Sequence, residues 1–466
     1  MLSAGLRSVD ITPPIGTPLA GFYSRIQPST DVLDPLLASV LVLQSGGSQV
    51  VLVACDILSL KGHLATQVRQ AVAEAVGVDV SRVLVNCSHT HSGPLLGIGA
   101  DDPKGLAVEQ APYFEQLKAK LAGAARAAAA SLAPARIAVG HIESRAGVNR
   151  RTDTDGRVVI GINPSGPRDP RLKVLRIEGD DGPVAVLASY ACHPIVLGPK
   201  SRAISADFVG PMRQVVEQGA GAPFIFLQGA AGDQGPAIGV DAPAWRRESM
   251  GRQLGHQVLT VLEELGSAYY ATRSEVFESV APLTNVHLTR LPDDPVVVDA
   301  LETEVRLPLQ AAPEREQFEA HLRAAQQAVQ ELRAAGAPLW QVQVQEVQAT
   351  WAAKMLRLLE SGPLQREVAA QLQAVRVGDI ALVSLPVEPF IRTALEIEAA
   401  SPAKHTLVLG YTNGCEGYVP TPDEYARGGY EVENSYKLYG LPAPFAVGAD
   451  GVLRDESVAL VKRLFA

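Results

Sequence analysis

Apolar residues along this chain come in short β-branched runs divided by turn residues. Ala38 to Leu43 and Gln49 to Cys55 flank Gly46-Gly47, and Leu172 to Ile177 and Val184 to Cys192 flank Gly179-Asp180-Asp181-Gly182. Each pair, with its glycine turn, predicts a hairpin. Arg82 to Cys87, Ala135 to His141 and Phe224 to Leu227 are short, apolar and bounded by turns, as buried strands are. Between these runs the spacing turns helical at Leu60 to Val76, Ala111 to Leu132, Asp207 to Gln218 and Trp245 to Leu265. Strands interleaved with helices predict an α/β, mixed α+β fold with central mixed sheets flanked by helices.

From Glu314 to Glu360 the composition shifts to Ala, Gln, Glu, Leu and Arg at helical spacing, broken at Gly336-Ala337-Pro338. This predicts a helical hairpin, an insertion at about 310–362 laid on the outside of the core. Leu372 to Val377, Gly378-Asp379 and Ile380 to Leu385 return to strand, turn and strand, followed by a helix from about Pro389 to Ala399. Gly410 to Gly440 is dense in Gly, Tyr, Asn, Pro and Asp with little periodicity, and a loop of that length usually serves a site. No linker or low-complexity tract divides the chain, so 1–466 is expected to be one catalytic domain.

Composition narrows the partners. With 41 Lys+Arg against 50 Asp+Glu the net charge is −9, which argues against nucleic acid. No apolar run approaches the roughly 20 residues that span a bilayer, so no integral membrane association is expected. The start, Met1 to Pro14, carries neither a basic region nor an apolar stretch of the secretory kind, and the expected location is cytoplasmic. The cysteines Cys55, Cys87, Cys192 and Cys415 never approach CxxC spacing, which excludes a disulfide framework and a cysteine-only zinc site.

The histidines are more telling. Asn86-Cys87-Ser88-His89-Thr90-His91-Ser92-Gly93-Pro94 closes an apolar strand, and residues two apart on a strand share a face. His89 and His91 then form a metal site or an acid–base pair, the ordinary alternative being two surface histidines near a turn. A second apolar strand ends in Cys192-His193-Pro194, where the proline keeps the histidine extended. Imidazoles at two strand ends suit zinc. Gln228-Gly-Ala-Ala-Gly232-Asp233-Gln-Gly235-Pro236 follows a third apolar strand. Its glycines permit close backbone approach, and Asp233 is placed to orient a histidine, although a plain Gly/Asp turn reads the same way. Asp56 and Glu388 sit at similar strand ends, with a helix N-cap or first-turn acid as the bland reading of each. GxSxG, Gly-Lys, HExxH and GxGxxG are all absent, which removes serine-elbow hydrolases, phosphate-loop enzymes, zincins and Rossmann dehydrogenases.

Ser88-His89-Thr90-His91-Ser92-Gly93-Pro94, with Asp10-Ile-Thr-Pro-Pro14, Asn149-Arg150 and Thr421-Pro-Asp-Glu-Tyr425 in the same order, resembles the catalytic domain of the neutral/alkaline, non-lysosomal ceramidases. The resemblance implies an α/β domain that hydrolyses an amide with one zinc ion. It places His89, His193, Glu388 and Tyr418 as metal ligands, with His91 and Arg150 beside the reacting group. Pro386-Val387-Glu388-Pro389 departs from the family's Pro-Gly-Glu-Phe, and Gly232-Asp-Gln-Gly235-Pro236 departs from its Gly-Asp-x-Ser-Pro, where the serine acts on the substrate. Gly235 has no hydroxyl. The sequence to Ala466 matches the catalytic domain without the family's C-terminal immunoglobulin-like domain, making this a short, divergent member.

The expected function is a zinc-dependent hydrolase that cleaves an amide or ester bond of a small-molecule or lipid-like substrate other than ceramide. A metal-activated water, with catalytic roles for His91, Arg150 and Asp233 and with backbone N–H groups around Gly232 as oxyanion donors, takes over from the serine. The alternative is a non-catalytic metal-containing binding protein that has lost turnover.

Overall fold

The computed structural model describes residues 1–96, 106–180, 182–266, 269–291 and 295–466. Among them, an eight-stranded sheet runs in the order Phe224–Gln228, Gly182–Tyr190, Arg171–Gly179, Ala133–Glu143, Leu2–Asp10, Leu37–Ser45, Ser48–Cys55, Val83–Cys87. A four-stranded sheet runs Val298–Pro308, Glu367–Val377, Ile380–Ser384, His405–Leu409. The predicted hairpins form, Leu37–Ser45 with Ser48–Cys55 and Arg171–Gly179 with Gly182–Tyr190. Asp181 in the second turn lies outside the described residues. Gly46 and Gly47 take φ of 57° and 85°, which explains why two glycines stand in the first turn.

Burial on both faces explains the unbroken apolar runs. Val40, Val42, Val51 and Val53 face the helices, whereas Leu41, Leu43, Val50 and Leu52 pack with Val375, Ile380, Leu382 and Leu407 of the other sheet. Gly62–Val76, Leu106–Ala130, Val209–Ala220 and Ala244–Gly266 cover the eight-stranded sheet, while Ile391–Ala400 and Ala449–Phe465 cover the four-stranded one. The result is four layers with both sheets inside. Among the described residues no helix is long and apolar enough to cross a membrane.

Two features carry this frame to the site. The outer strands of the large sheet meet each other, since the Gln228 N–H donates to Asn86 Oδ1 at 2.8 Å and Asn86 Nδ2 donates to the Gln228 carbonyl at 3.3 Å. Asn86 Nδ2 also reaches the Gly410 carbonyl at 3.0 Å, just beyond His405–Leu409. One buried asparagine therefore satisfies backbone groups that the curled sheet leaves open, and gathers three strand ends. The predicted helical hairpin forms as Arg315–Ala334 and Leu339–Ser361, opened by a capping box between Glu314 and Gln317. Its Phe318, Trp351 and Met355 form a small core, and Trp351 Nε1 donates to the Leu441 carbonyl at 2.8 Å. The hairpin thus braces the Gly410 to Gly440 loop.

The antiparallel pair Gly147–Thr154 and Arg157–Asn163 and the ribbon of Tyr270–Phe277 with Leu283–Arg290 were not predicted by periodicity. The first carries Arg150. The second is exposed along Tyr270–Phe277, so core burial left no pattern there.

Candidate metal centre

The site sits at strand ends. Val83–Cys87 stops before His89, so His89 and His91 do not share a strand face, contrary to the spacing argument. The Ser88 N–H turns to the Cys55 carbonyl at 2.9 Å and the His89 N–H to the Ile57 carbonyl at 3.0 Å, which pulls the chain out of the sheet. His89 takes φ of 66°, a left-handed conformation of the kind that collects at functional sites at about 1–3 kcal/mol each. His91 lies under Gly21, whose missing Cβ would fall 2.3 Å from the His91 Cγ. His193 follows Gly182–Tyr190, its N–H on the Gln234 carbonyl at 3.2 Å. Glu388 and Tyr418 are opposite partners in a two-residue parallel pair.

These elements bring the imidazoles and the carboxylate together. His89 Nδ1 lies 2.7 Å from the Leu58 carbonyl and His193 Nδ1 lies 2.6 Å from the Ala231 carbonyl. A carbonyl can only accept, so Nδ1 carries the proton on each ring and Nε2 offers a lone pair inward. His89 Nε2 and His193 Nε2 stand 3.4 and 3.3 Å from Glu388 Oε2. Tyr418 Oη is 3.5 Å from His193 Nε2. Ligand atoms of His89, His91 and His193 all lie within 4.8 Å of one another. His89 Nε2, both ring nitrogens of His91 and Glu388 Oε2 are buried without a hydrogen-bond partner. Lone pairs converging on a carboxylate oxygen with no proton between them are a donor set for a cation.

Charge states agree with that. Burial, then Arg150, pushes His193 down to about 3, and burial with His89 and His193 holds His91 well below its ordinary value. Both are neutral, the ligating form. Burial acts against ionisation of Glu388, and positive charge on the side of His89 and His193 holds its carboxyl well below the usual range, a charge that a bound cation would supply when both rings are neutral.

The sequence matches no protein-family model and no curated protein. Among solved structures, neutral ceramidase from Pseudomonas aeruginosa matches with a TM-score of 0.68 over 99% of this chain and 74% of that one, at 18% identity. A structure described as ceramidase complexed with C2 matches with 0.68 over 100% and 75%, at 17% identity. The chain has the ceramidase fold.

Within that fold, the remaining residues fall into a buried network. Arg150 Nη2 donates to Tyr418 Oη at 3.0 Å and Arg150 Nε to Glu431 Oε1 at 3.0 Å. Burial opposes its charge, but Tyr418, Glu431 and Glu388 outweigh burial, and the guanidinium stays charged. Asp233 accepts from Asn149 Nδ2 at 3.0 Å and from the Ile391 N–H at 2.8 Å, and its own carbonyl accepts the Arg150 N–H at 2.8 Å. Its carboxylate is raised to about 6 by burial. It anchors the Arg150 strand and the segment after Glu388, while backbone carbonyls orient the histidines. The Gly232 N–H does not serve as an oxyanion donor, because it is bonded to the Pro389 carbonyl at 2.9 Å. A Cβ on Gly235 would meet Arg150 Cβ at 3.3 Å.

Sequence reasoning missed several members of the site. Tyr439 Oη donates to Glu388 Oε1. Arg151 is bonded to Glu424, Glu431 and the Gly428 carbonyl, and Tyr411 stacks on His89. The available signal was the density of tyrosines and acids between Gly410 and Gly440 in a chain with only 11 tyrosines.

Proposed function

We propose that this protein is a metal-dependent hydrolase of an amide or ester bond, with one zinc ion held by His89, His193, Glu388 and Tyr418. The observation that carries the reading is the convergence of two unprotonated Nε2 atoms on Glu388 Oε2 at 3.3–3.4 Å, with His89 Nε2 and Glu388 Oε2 buried and unpartnered. The bound ion would supply Lewis acidity and make water acidic enough to ionise near neutral pH. His91, neutral and with both ring nitrogens free, accepts the proton released on attack and returns it to the leaving amine. Arg150, held by Glu431 and aimed at Tyr418 Oη, stabilises the negative charge that develops on the carbonyl oxygen. Asp233 keeps Arg150 in place through its backbone. The ceramidase fold favours a lipid-like or small acyl amide. With Gly235 in the serine's position, and Arg150 Cβ 3.3 Å from where its Cβ would stand, a substrate other than ceramide is favoured.

The test is zinc content together with turnover on a panel of acyl amides, esters and lactones. Wild type is expected to hold about one zinc and release product. His89→Ala and His193→Ala should lose the metal, and Arg150→Ala should lose about 10²–10³-fold in kcat, as removal of an oxyanion donor does. A wild type that acquires no zinc under replete conditions sinks the proposal. Gly235 favours one second reading, a binding protein without turnover; thermal shifts with panel compounds and no product would identify it.

A further inference from the structure

Tyr411 follows the strand His405–Leu409 and Gly410, and takes φ of 54°. An aromatic residue in the left-handed region is a genuine outlier and persists only where its surroundings over-determine it. Here they do. Its N–H donates to the Val387 carbonyl at 3.0 Å, beside Glu388, and its carbonyl accepts the Cys87 N–H at 3.2 Å, two residues before His89. The ring is thereby laid on the His89 imidazole, with centroids 4.0 Å apart at 30°, and stands edge-on to His193 at 5.9 Å.

The phenol end is the unusual part. Tyr411 is 1% exposed, and its hydroxyl has no hydrogen-bond partner. Other buried tyrosines of this region are bonded: Tyr190 Oη accepts the Gly147 N–H at 2.7 Å, Tyr418 Oη accepts from Arg150, and Tyr439 Oη donates to Glu388. Burial, with Glu388 and Tyr418 next, pushes the Tyr411 phenol well above its ordinary value, so its proton stays on. A buried donor without an acceptor destabilises the empty fold, and one retained beside a ligand-binding centre marks a bond completed by the ligand. The family resemblance implies a serine hydroxyl at this centre where Gly235 stands.

We propose that the Tyr411 hydroxyl is the hydrogen-bond donor of this centre to the oxygen of the bound acyl group, supplying the hydroxyl that Gly235 lacks. The inference rests on the metal-hydrolase reading. Its donor is a phenol fixed by stacking on His89, and the ligand class it takes is a carboxylate or a polarised carbonyl.

Tyr411→Phe keeps the ring and removes only the hydroxyl, with Tyr190→Phe as the control whose hydroxyl is bonded. In metal-free protein, Tyr411→Phe is expected to melt at or above the wild-type Tm, whereas Tyr190→Phe melts about 1–3 °C lower. With zinc loaded, the metal content of Tyr411→Phe should equal that of the wild type, and its affinity for acetate, the simplest acyl product, should fall about tenfold by titration calorimetry. Equal acetate affinity in the two proteins overturns the proposal. So does a metal-free Tyr411→Phe that melts as far below wild type as Tyr190→Phe, because the hydroxyl is then a structural bond. A wild type that takes up no zinc overturns the metal reading alone, and the metal-free melting comparison still decides on Tyr411.

Discussion

Arg151 illustrates how single residues hold this centre. It is 1% exposed, its Nε is 2.9 Å from Glu424 Oε2 and its Nη1 is 2.5 Å from Glu431 Oε2, and Glu431 in turn holds Arg150. Replacing it by leucine leaves Glu431 with Arg150 alone and Glu424 with Arg427 alone and strands the Gly428 carbonyl, which destabilises by about 1–3 kcal/mol. Urea unfolding of Arg151→Leu checks this, and a loss below about 1 kcal/mol would show that the network contributes little. At this scale His89, His91, His193 and Glu388 stood out, because histidines at apolar strand ends and an acid after a strand are rare enough to notice, whereas Tyr418 came only from the family resemblance. Arg151, Glu431, Tyr439 and Tyr411 were not. Their roles depend on which loop residues face inward, and a loop without periodicity does not encode that in residue spacing.

Elements place those residues through close backbone contact. A Cβ on Gly232 would stand 2.7 Å from the Glu388 carbonyl and 2.8 Å from that of Pro389. Gly232→Ala therefore pushes the Ala231 carbonyl and the Glu388 segment apart, and is expected to weaken zinc binding about 10–100-fold, as loss of a ligand's support does. Competition with a chelator measures it, and unchanged affinity would mean the loop does not set the ligand geometry. Farther out, Trp351→Ala removes the Leu441 bond and the core of the helical hairpin, at about 3–5 kcal/mol, measured by thermal or urea unfolding. The helical hairpin and both strand hairpins were readable from the sequence, but the central strand Leu2–Asp10, the strand Val298–Pro308 and the helix Ala449–Phe465 were not. What the spacing argument got wrong was the face of His89 and His91, since bonds to Cys55 and Ile57 at the next strand end, invisible in local sequence, decide where the chain leaves the sheet.

For the molecule as a whole, four layers bury both sheets and leave acids inside them. Asp207, between Ile204 and the helix Val209–Ala220, accepts from the Leu197 and Phe208 N–H groups, yet burial raises its carboxyl from 3.8 to about 6. A raised acid favours folding while protonated. Its contribution is full below the unfolded value of 3.8 and is lost as pH rises through about 6, a swing of roughly 3 kcal/mol. Relative to Asp207→Asn, the wild type should lose that much stability between pH 3.5 and 7, roughly; a constant difference across the range would contradict it. The fold class was legible in outline, but the contact between the outer strands through Asn86 and Gln228 was not, because it is made between residues 142 positions apart. That contact brings the three histidines to one place, and the central claim is that two of them, His89 and His193, hold a metal with Glu388 and Tyr418. Anomalous diffraction at the zinc edge from zinc-soaked crystals tests it most directly. The account predicts one strong peak about 2.0–2.1 Å from both His89 Nε2 and His193 Nε2 and bonded to Glu388; a crystal with no peak there, or with zinc only at surface residues, would contradict it.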